Sequence, residues 1–174
     1  LELLNLAFSD FGHADFAFDG EGQEVLVYHA TSGKQLLELG NPAGAPFAMA
    51  RLADGKKTVL QSVSWDMTPH FCGLASLEHP GWVLVSTYAD ATAPQRPFSR
   101  EIYWLKLDGS GKVRRIAHHH SDQAFRSGPW GVEKDYFAEP QATSSWDGNL
   151  VVFASVWGEP FNHYDSYLLS GSWW

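Results

Sequence analysis

Three short apolar runs recur along the chain, and each follows directly after a turn sequence. The runs are residues 25–28, 82–85 and 150–153. Each is only a few residues long and rich in β-branched side chains, which favours a strand over a helix. Another strand-like stretch precedes each turn. These stretches are residues 14–18, 71–77 and 142–146. Each of the three units is therefore predicted to open with a β-hairpin.

Asp-Gly pairs mark the opening turns of the first and third units and the second turns of the first and middle units, whereas the opening turn of the middle unit is Glu78-His79-Pro80-Gly81. Gly supplies the positive φ that a tight turn needs, so Asp-Gly between two alternating runs is a strong hairpin signal. The pairs are Asp19-Gly20, Asp54-Gly55, Asp108-Gly109 and Asp147-Gly148. The further strands are predicted at 47–52 and 57–61, at 101–107 and 112–117, and at 164–169. No segment shows a helical period over two turns, so the pattern predicts an all-β chain.

Repeated units of four antiparallel strands are typical of the blades of a β-propeller. We assign the blades to residues 13–62, 70–117 and 140–174, and residues 1–11 are compatible with the outer strand of a preceding blade. The alternative architecture is a single sandwich of many short strands. Matched residues favour the propeller, because His13, His70 and Gln141 each stand at the start of a unit's first strand.

About three blades are too few to close a propeller ring. We therefore expect an incomplete ring, with the remaining blades supplied by a longer chain or by an oligomer mate. The two terminal blades should then expose apolar faces that a neighbouring blade would otherwise cover.

The charge and composition of the chain exclude some partners. The 174 residues are 44% hydrophobic, enough for a packed core, and carry a formal net charge of -8. An acidic surface repels phosphate, so no nucleic-acid partner is expected. No apolar run reaches the ~20 residues that cross a bilayer, so no membrane span is expected. Cys72 is the single cysteine and cannot form an intrachain disulfide.

Two stretches carry a resemblance to a known repeat. They are residues 16–20, which end in Asp-Gly, and residues 144–155, in which Asp-Gly-Asn leads into an apolar strand. Over most of residues 13–169 the chain resembles the TolB-type, WD40-like (PD40) propeller repeat proteins of bacteria. The resemblance implies a propeller fold and an exported location, periplasmic or extracellular. It does not select a function, since this repeat serves binding, scaffold and enzyme proteins alike.

Residues 80–86 and 139–142 are similar to large bacterial propellers grouped near oligogalacturonate lyase. That similarity implies cleavage of pectin fragments by β-elimination, with manganese held by several His and a Gln. The clustered Gln-x-x-His-x-His ligand arrangement of that family is absent from this sequence. Its metal site is therefore not transferred residue by residue.

The first strands of successive propeller blades surround the central channel, so their equivalent positions converge at one mouth. His13, His70 and Gln141 occupy such positions. Asp15 alternates to the face of His13, and Glu139 to the face of Gln141. Imidazoles and an amide around one axis could ligate a divalent cation or hydrogen-bond a sugar. Alternatively, each side chain caps its own strand by bonding a neighbouring backbone group.

The run His118-His119-His120 is a second candidate. On an extended chain His118 and His120 share a face. They could chelate a divalent metal, manganese or calcium, if His70 or Asp122 supplied a third ligand. Alternatively, the run is the solvated start of a loop.

The connection 121–138 is the longest stretch predicted to be irregular, and long loops are often functional. Its Trp130 could stack on a sugar ring, and its Arg126 could pair with a uronate carboxylate. Alternatively, the connection is an insert whose aromatic residues pack onto a blade.

Taken together, these features predict a binding module that engages a carbohydrate or a protein partner at the channel mouth or on the loop face. The alternative is an enzyme, a metal-assisted polysaccharide lyase or a hydrolase. A histidine acting as general base would fit the enzyme, but the sequence identifies no matched acid, nucleophile or oxyanion donor.

Overall fold

Antiparallel β-sheets make up the framework of the protein. The computed structural model describes residues 11–40, 44–89, 94–121, 125–128, 131–134, 138–157 and 164–174. The elements in these ranges confirm the prediction of an all-β chain built from repeated antiparallel sheets. Within the same ranges, no helix is long and apolar enough to cross a membrane.

The first sheet contains four strands in sequence order. They are β1 (Phe11–Phe18), β2 (Glu24–Ala30), β3 (Phe47–Arg51) and β4 (Lys57–Gln61). Asp19 closes the turn between β1 and β2, because its carboxylate accepts hydrogen bonds of 2.9 Å from the amides of Glu21 and Gln23. Gly55 adopts a φ of 70° in the turn between β3 and β4, where a side chain would be disfavoured. Both hairpins predicted for this unit are confirmed.

One short helix, α1 (Gly33–Glu38), joins β2 to β3. Ser32 and Gln35 form a capping box at its start, in which each side chain accepts a hydrogen bond from the backbone amide of the other. Leu36 packs against Tyr28 and Ala48 on the face of the first sheet that points away from the second sheet. The helix is less than two turns long, so it leaves no helical period in the sequence.

The second sheet also contains four strands in sequence order. They are β5 (Met67–Cys72), β6 (Trp82–Ala89), β7 (Glu101–Lys106) and β8 (Val113–His118). The hairpin predicted at Asp108-Gly109 lies between β7 and β8 and is confirmed. Asp108 holds its turn by accepting a hydrogen bond of 2.9 Å from the amide of Ser110.

The first strand of this sheet ends earlier than the sequence predicts. The apolar pattern assigned 71–77 to a strand, but β5 ends at Cys72 and a 3₁₀ helix spans Leu74–Leu77. The cause is a close approach to β1, where the amide of Gly73 donates a hydrogen bond of 2.9 Å to the carboxylate of Asp15. A Cβ atom on Gly73 would lie 1.8 Å from the carbonyl oxygen of Phe16. Only glycine fits at this joint between the first two sheets.

The connection 121–138 is less irregular than predicted. It contains a two-stranded antiparallel ladder, β9 (Phe125–Gly128) with β10 (Gly131–Lys134). The prediction was wrong because strands of four residues are too short to show an alternating pattern.

The third sheet contains three described strands. They are β11 (Thr143–Ser144), β12 (Leu150–Ser155) and β13 (Asp165–Ser170). The hairpin at Asp147-Gly148 is confirmed, although β11 covers only two residues of the predicted stretch 142–146. Asp147 accounts for the early end of β11, since its carboxylate accepts hydrogen bonds from the Ser145 hydroxyl and the Asn149 amide and so starts the turn there.

Two apolar cores join the three sheets in a row. On β6, Val83 and Val85 face the core shared with the first sheet, where they join Val27. Leu84 on the opposite face belongs to the core shared with the third sheet, which includes Val151. Every residue of β6 is buried, as expected for a strand covered on both faces. The stacking matches three neighbouring blades, of which the middle one is covered on both sides.

The outward faces of the first and third sheets expose apolar side chains. Phe16 on β1 lies on the outward face of the first sheet, in register with Leu26. On the third sheet, Val152 and Leu168 face each other across β12 and β13, and Leu168 is 62% exposed. The alternating partners Val151 and Leu169 point instead into the core.

Candidate functional site

Two histidines from the first strands of neighbouring sheets meet at one end of the molecule. His13 lies on β1, next to an irregularity in its pairing with β2, and His70 lies on β5. Their ring centroids are 4.5 Å apart and the rings are nearly perpendicular, at 83°. The fold thus brings together two side chains that are far apart in the sequence.

Glu139 joins this pair from the segment that leads into β11. Its Oε2 atom lies 2.8 Å from Nε2 of His70, and its side chain is buried. Burial alone would raise the pKa of Glu139, but hydrogen bonds from His70 and Tyr88 outweigh it and hold the pKa below its ordinary value. Glu139 is therefore a carboxylate at neutral pH. The first strands of two sheets and the segment that precedes the first strand of the third sheet therefore contribute side chains to the same site.

Tyr88, near the end of β6, completes the group. Its hydroxyl lies 3.3 Å from Nε2 of His13, and its ring stacks on His70 at a centroid distance of 5.3 Å. We refer to His13, His70, Tyr88 and Glu139 as the histidine cluster. Sequence analysis missed Tyr88 because it belongs to a continuously buried strand, where alternation does not reveal which residues face the site.

The electrostatics of the cluster favour neutral imidazole at His13. Burial is the main cause that lowers the pKa of His13, and the neighbouring His70 lowers it further, while Glu139 acts in the opposite direction. A neutral imidazole presents one donor and one acceptor nitrogen. The cluster therefore offers both kinds of hydrogen-bonding group beside a single carboxylate.

His29 lies behind the cluster on β2. It is buried and packs edge-on against Phe47, and neither ring nitrogen has a hydrogen-bond partner among the residues that the structure describes. Burial lowers the pKa of His29 to about 4, and the charge of His13 acts in the same direction. The backbone of Ala45 acts in the opposite direction on this pKa, but burial outweighs it. In an antiparallel hairpin, the end of the second strand lies beside the start of the first. The polar residues near the ends of β2 and β6 could therefore have indicated His29 and Tyr88 in the sequence.

An open cavity of about 390 Å³ borders the cluster. Its lining residues are Asp15, His70, Phe71, Cys72, Gln141, Ala142 and Thr143. The carboxylate of Asp15 is already occupied by the amides of Phe16 and Gly73. Gln141 is exposed and has a φ of 41°, a left-handed conformation that is uncommon for a residue with a side chain. The rim next to His70 is therefore polar and contains a strained backbone position.

A larger cavity, of about 470 Å³, lies elsewhere on the first two sheets. Phe16, Leu74 and Leu77 line it, and it contains none of the histidines. Its apolar walls offer shape but little polar chemistry, so the smaller cavity is the better candidate for a functional site.

The run of three histidines is divided by the structure into one buried and two exposed side chains. His119 is fully buried, with Nε2 placed 2.8 Å from the Thr87 carbonyl and Nδ1 accepting a 3.1 Å hydrogen bond from the Ser121 amide. Burial lowers the pKa of His119 to about 4. His118 and His120 are exposed, and their ring centroids are 6.5 Å apart. His119 is thus a structural residue.

The predicted metal ligands do not come together. His70 lies on β5 and His118 ends β8, the two opposite edges of one four-stranded sheet. Three strand spacings separate these edges by roughly 14 Å, too far for one ion to bind both. Among the residues that the structure describes, no three His, Cys, Asp or Glu side chains are grouped so that they could hold a metal ion. Asp122 lies outside the described residues.

The ligand-binding roles predicted for two further residues stay predictions. Arg126 belongs to β9, but its side chain is not among the described parts of the chain. Trp130 lies outside the described residues.

The fold defines an all-β protein built from propeller-like blades, with a polar site where the first strands meet. No protein-family model and no curated protein sequence matches the chain.

Proposed function

We propose that this chain is a β-propeller binding module that holds a neutral carbohydrate beside the histidine cluster. The observation that carries the proposal is the meeting of His13 and His70 from the first strands of two units with Glu139 from the segment that leads into the third. Beside them lies an open cavity whose lining includes His70, Gln141 and Thr143. The resemblance to TolB-type repeats supports the propeller, and the site supports the ligand class.

The wall of the cavity supplies groups that bind sugar hydroxyls. The imidazole of His70 lines it, and the exposed amide of Gln141 both donates and accepts hydrogen bonds. Thr143 adds a hydroxyl on the same wall. The rings of His70 and Tyr88, stacked on each other, give the site a rigid flank.

The charges around the cavity favour a neutral sugar over a uronate. Among the described residues that line the cavity, none is Lys or Arg, and Glu139, which contacts His70, is ionised. A uronate carboxylate would therefore meet a like charge, with no Lys or Arg in the described lining to offset it. This argument separates the proposal from pectin-fragment binding.

Calorimetric titration tests the proposal directly. The ligands are hexasaccharides of cellulose, xylan, mannan and amylose, with an oligogalacturonide of the same length as the charged comparison. We expect a neutral hexasaccharide to bind, and His70→Ala to weaken binding by about tenfold or more, since a half-buried hydrogen-bonding group of the cavity wall is lost. The exposed His118→Ala is the matched control and should leave affinity unchanged. Absence of binding by every neutral ligand, or equal effects of the two variants, would overturn the proposal.

A lyase or hydrolase is the second candidate, favoured by one observation. His70 is oriented by a buried carboxylate at 2.8 Å, an arrangement that prepares the other ring nitrogen to accept a proton. Abstraction of the proton next to the uronate carboxylate, with breakage of the glycosidic C–O bond and departure of the neighbouring sugar as the leaving group, produces an unsaturated uronate that absorbs in the ultraviolet. Incubation with oligogalacturonides, with and without manganese, therefore tests the lyase. A rise in absorbance that Glu139→Gln abolishes would support the lyase, and no rise under either condition would exclude it.

A further inference from the structure

A row of aromatic rings runs from the surface into the third sheet. The ring of His120 lies 4.6 Å from that of Trp157, which stacks on Tyr167 at 5.0 Å, and Tyr167 stacks in turn on Phe153 at 5.5 Å. Trp157 is 52% exposed although it belongs to this row. We call His120, Trp157 and Tyr167 the aromatic platform.

The platform and the histidine cluster lie at the same end of the sheets. In the register of the second sheet, His70 pairs with Ser86, Ser86 with Ile102, and Ile102 with Ala117. The segment that follows β8, which carries His120, therefore leaves the sheet at the level of the cluster. In the third sheet, the end of β12 lies beside the start of β11, so Trp157 emerges at the end where Glu139 enters.

Two members of the platform have a left-handed backbone. Trp157 has a φ of 47° and His120 a φ of 54°, a conformation that is uncommon for residues with side chains. Such a conformation persists only where surrounding contacts impose it, and it concentrates at ligand-binding positions.

Hydrogen bonds link the platform to the cluster through the chain between them. The amide of Trp157 donates to the Ser155 hydroxyl at 2.8 Å, and that hydroxyl donates to the His119 carbonyl. The Ser121 hydroxyl donates to the carbonyl of Ala138, the residue before Glu139. The two groups are therefore held in one fixed arrangement.

We propose that the aromatic platform is a second sugar-binding subsite, so that the ligand is a neutral oligosaccharide reaching from the histidine cluster to Trp157. This inference rests on the function proposed above. The C–H face of a pyranose ring carries partial positive charge and packs on the electron-rich face of indole. The hydroxyl groups of the same chain then suit the polar cavity at the same end of the molecule.

The other ligands of exposed aromatic rings fit less well. A nucleic-acid strand also stacks on such rings, but the formal charge of -8 repels its phosphates. A proline-rich peptide would use the rings but would make no use of the polar side chains that line the neighbouring cavity. The oligosaccharide engages both groups.

Titrations of short and long ligands test the subsite. The probes are the disaccharide and the hexasaccharide of whichever neutral series binds the unaltered chain. We expect Trp157→Ala to weaken hexasaccharide binding by about tenfold, the loss of one stacked ring, and to leave disaccharide affinity within about twofold. Trp157→Phe, which keeps a stacking ring, should retain most of the hexasaccharide affinity. Trp146→Ala is the matched control, because Trp146 is 64% exposed at the Asp147-Gly148 turn, the opposite end of the third sheet.

The outcomes separate the two proposals. If neither ligand binds the unaltered chain, both proposals fail. If the hexasaccharide binds but Trp157→Ala behaves like Trp146→Ala, only the platform proposal fails. Binding of a polyproline peptide that Trp157→Ala abolishes, with no effect of this variant on the hexasaccharide, would assign the platform to a protein partner and also overturn the proposal. Circular dichroism and thermal unfolding of each variant check that the fold is intact.

Discussion

The histidines that are neighbours in the sequence lie in different surroundings in the structure, whereas two histidines that are far apart in the sequence lie in contact. His118, His119 and His120 are consecutive, yet one is buried between sheets and two face solvent. His13 and His70 lie in different units, yet their rings are in contact. Consecutive residues of an extended chain alternate in direction, whereas equivalent residues of neighbouring blades point to a common place. In a repeated β fold, matched position therefore indicates a shared site better than sequence proximity does.

Lowering the pH should have the largest effect on the free energy of unfolding, because it protonates the buried histidines and not only the exposed ones. The folded-state pKa values of His29 and His119 are each about 4, below the value near 6.5 of an unfolded chain. As the pH falls, the unfolded chain binds protons first, so stability is complete above pH 6.5 and is lost progressively down to about pH 4. Each histidine should remove roughly 3 kcal/mol at pH 4, measured by urea unfolding across the pH range.

His29→Phe sharpens the acid prediction. Phenylalanine keeps the ring that packs on Phe47 and removes two buried nitrogens that have no hydrogen-bond partner in the described part of the chain. The variant should be at least as stable as the unaltered chain at pH 7 and should lose about half of the acid sensitivity. An unchanged slope of stability against pH would show that His29 is not buried as a neutral ring.

His119→Ala should produce the largest loss at neutral pH. The variant leaves the Thr87 carbonyl and the Ser121 amide without their partner and opens a cavity between the second and third sheets. We expect a loss of about 3 kcal/mol in the free energy of unfolding. The neighbouring His118→Ala should change it by less than about 0.5 kcal/mol, because the side chain is exposed. Similar losses of unfolding free energy for both variants would contradict the finding that His119 is buried and His118 is exposed.

Glu139→Gln should have a smaller effect, concentrated in the cluster. Removing the carboxylate weakens a charge-assisted hydrogen bond to His70, with an expected loss of about 1–2 kcal/mol. It also removes the charge that raises the pKa of His13, so this pKa should fall further. Titration of the imidazole signals by NMR measures the shift. A pKa of His13 that stays constant or rises would contradict the geometry of the cluster.

Gln141→Gly should give the smallest effect on stability, and in the opposite direction. Glycine relieves the left-handed backbone at φ 41°, which should raise the free energy of unfolding by up to about 1 kcal/mol. The variant also removes the amide from the cavity, so carbohydrate affinity should fall. Gln141→Asn is the matched control, since asparagine tolerates the conformation and keeps an amide. A variant with glycine that gains stability and keeps full affinity would remove Gln141 from the site.

Local signals predicted much of this fold. The turns at Asp19, Asp54, Asp108 and Asp147 could be read directly, because a turn depends on a few neighbouring residues. The repeat also indicated that His13 and His70 occupy matched positions. By contrast, the early end of β5 depends on how closely the Phe16 carbonyl approaches Gly73, a contact between sheets. No pattern within residues 71–77 contains that information.

The candidate site was predictable only in part for a similar reason. Glu139 and His70 belonged to the predicted set, and the structure places them in contact. Tyr88 and His29 lie in strands with no alternating pattern, so their direction depends on register and on packing against a neighbouring sheet. The aromatic platform combines residues from two sheets that only tertiary structure brings together.

The hydrogen bond from Gly73 to Asp15 has a consequence for the rate of recognition. It fastens the first sheet to the second through Asp15, which lines the cavity beside His70, and no bulkier residue fits at position 73. A ligand then meets walls that are already in place, so its association should follow a single phase without a slow closing step. The amide hydrogen of Gly73 is also a direct reporter of this joint. This hydrogen should exchange with deuterium only when the two sheets separate. A bound ligand should leave the exchange rate unchanged or lower it.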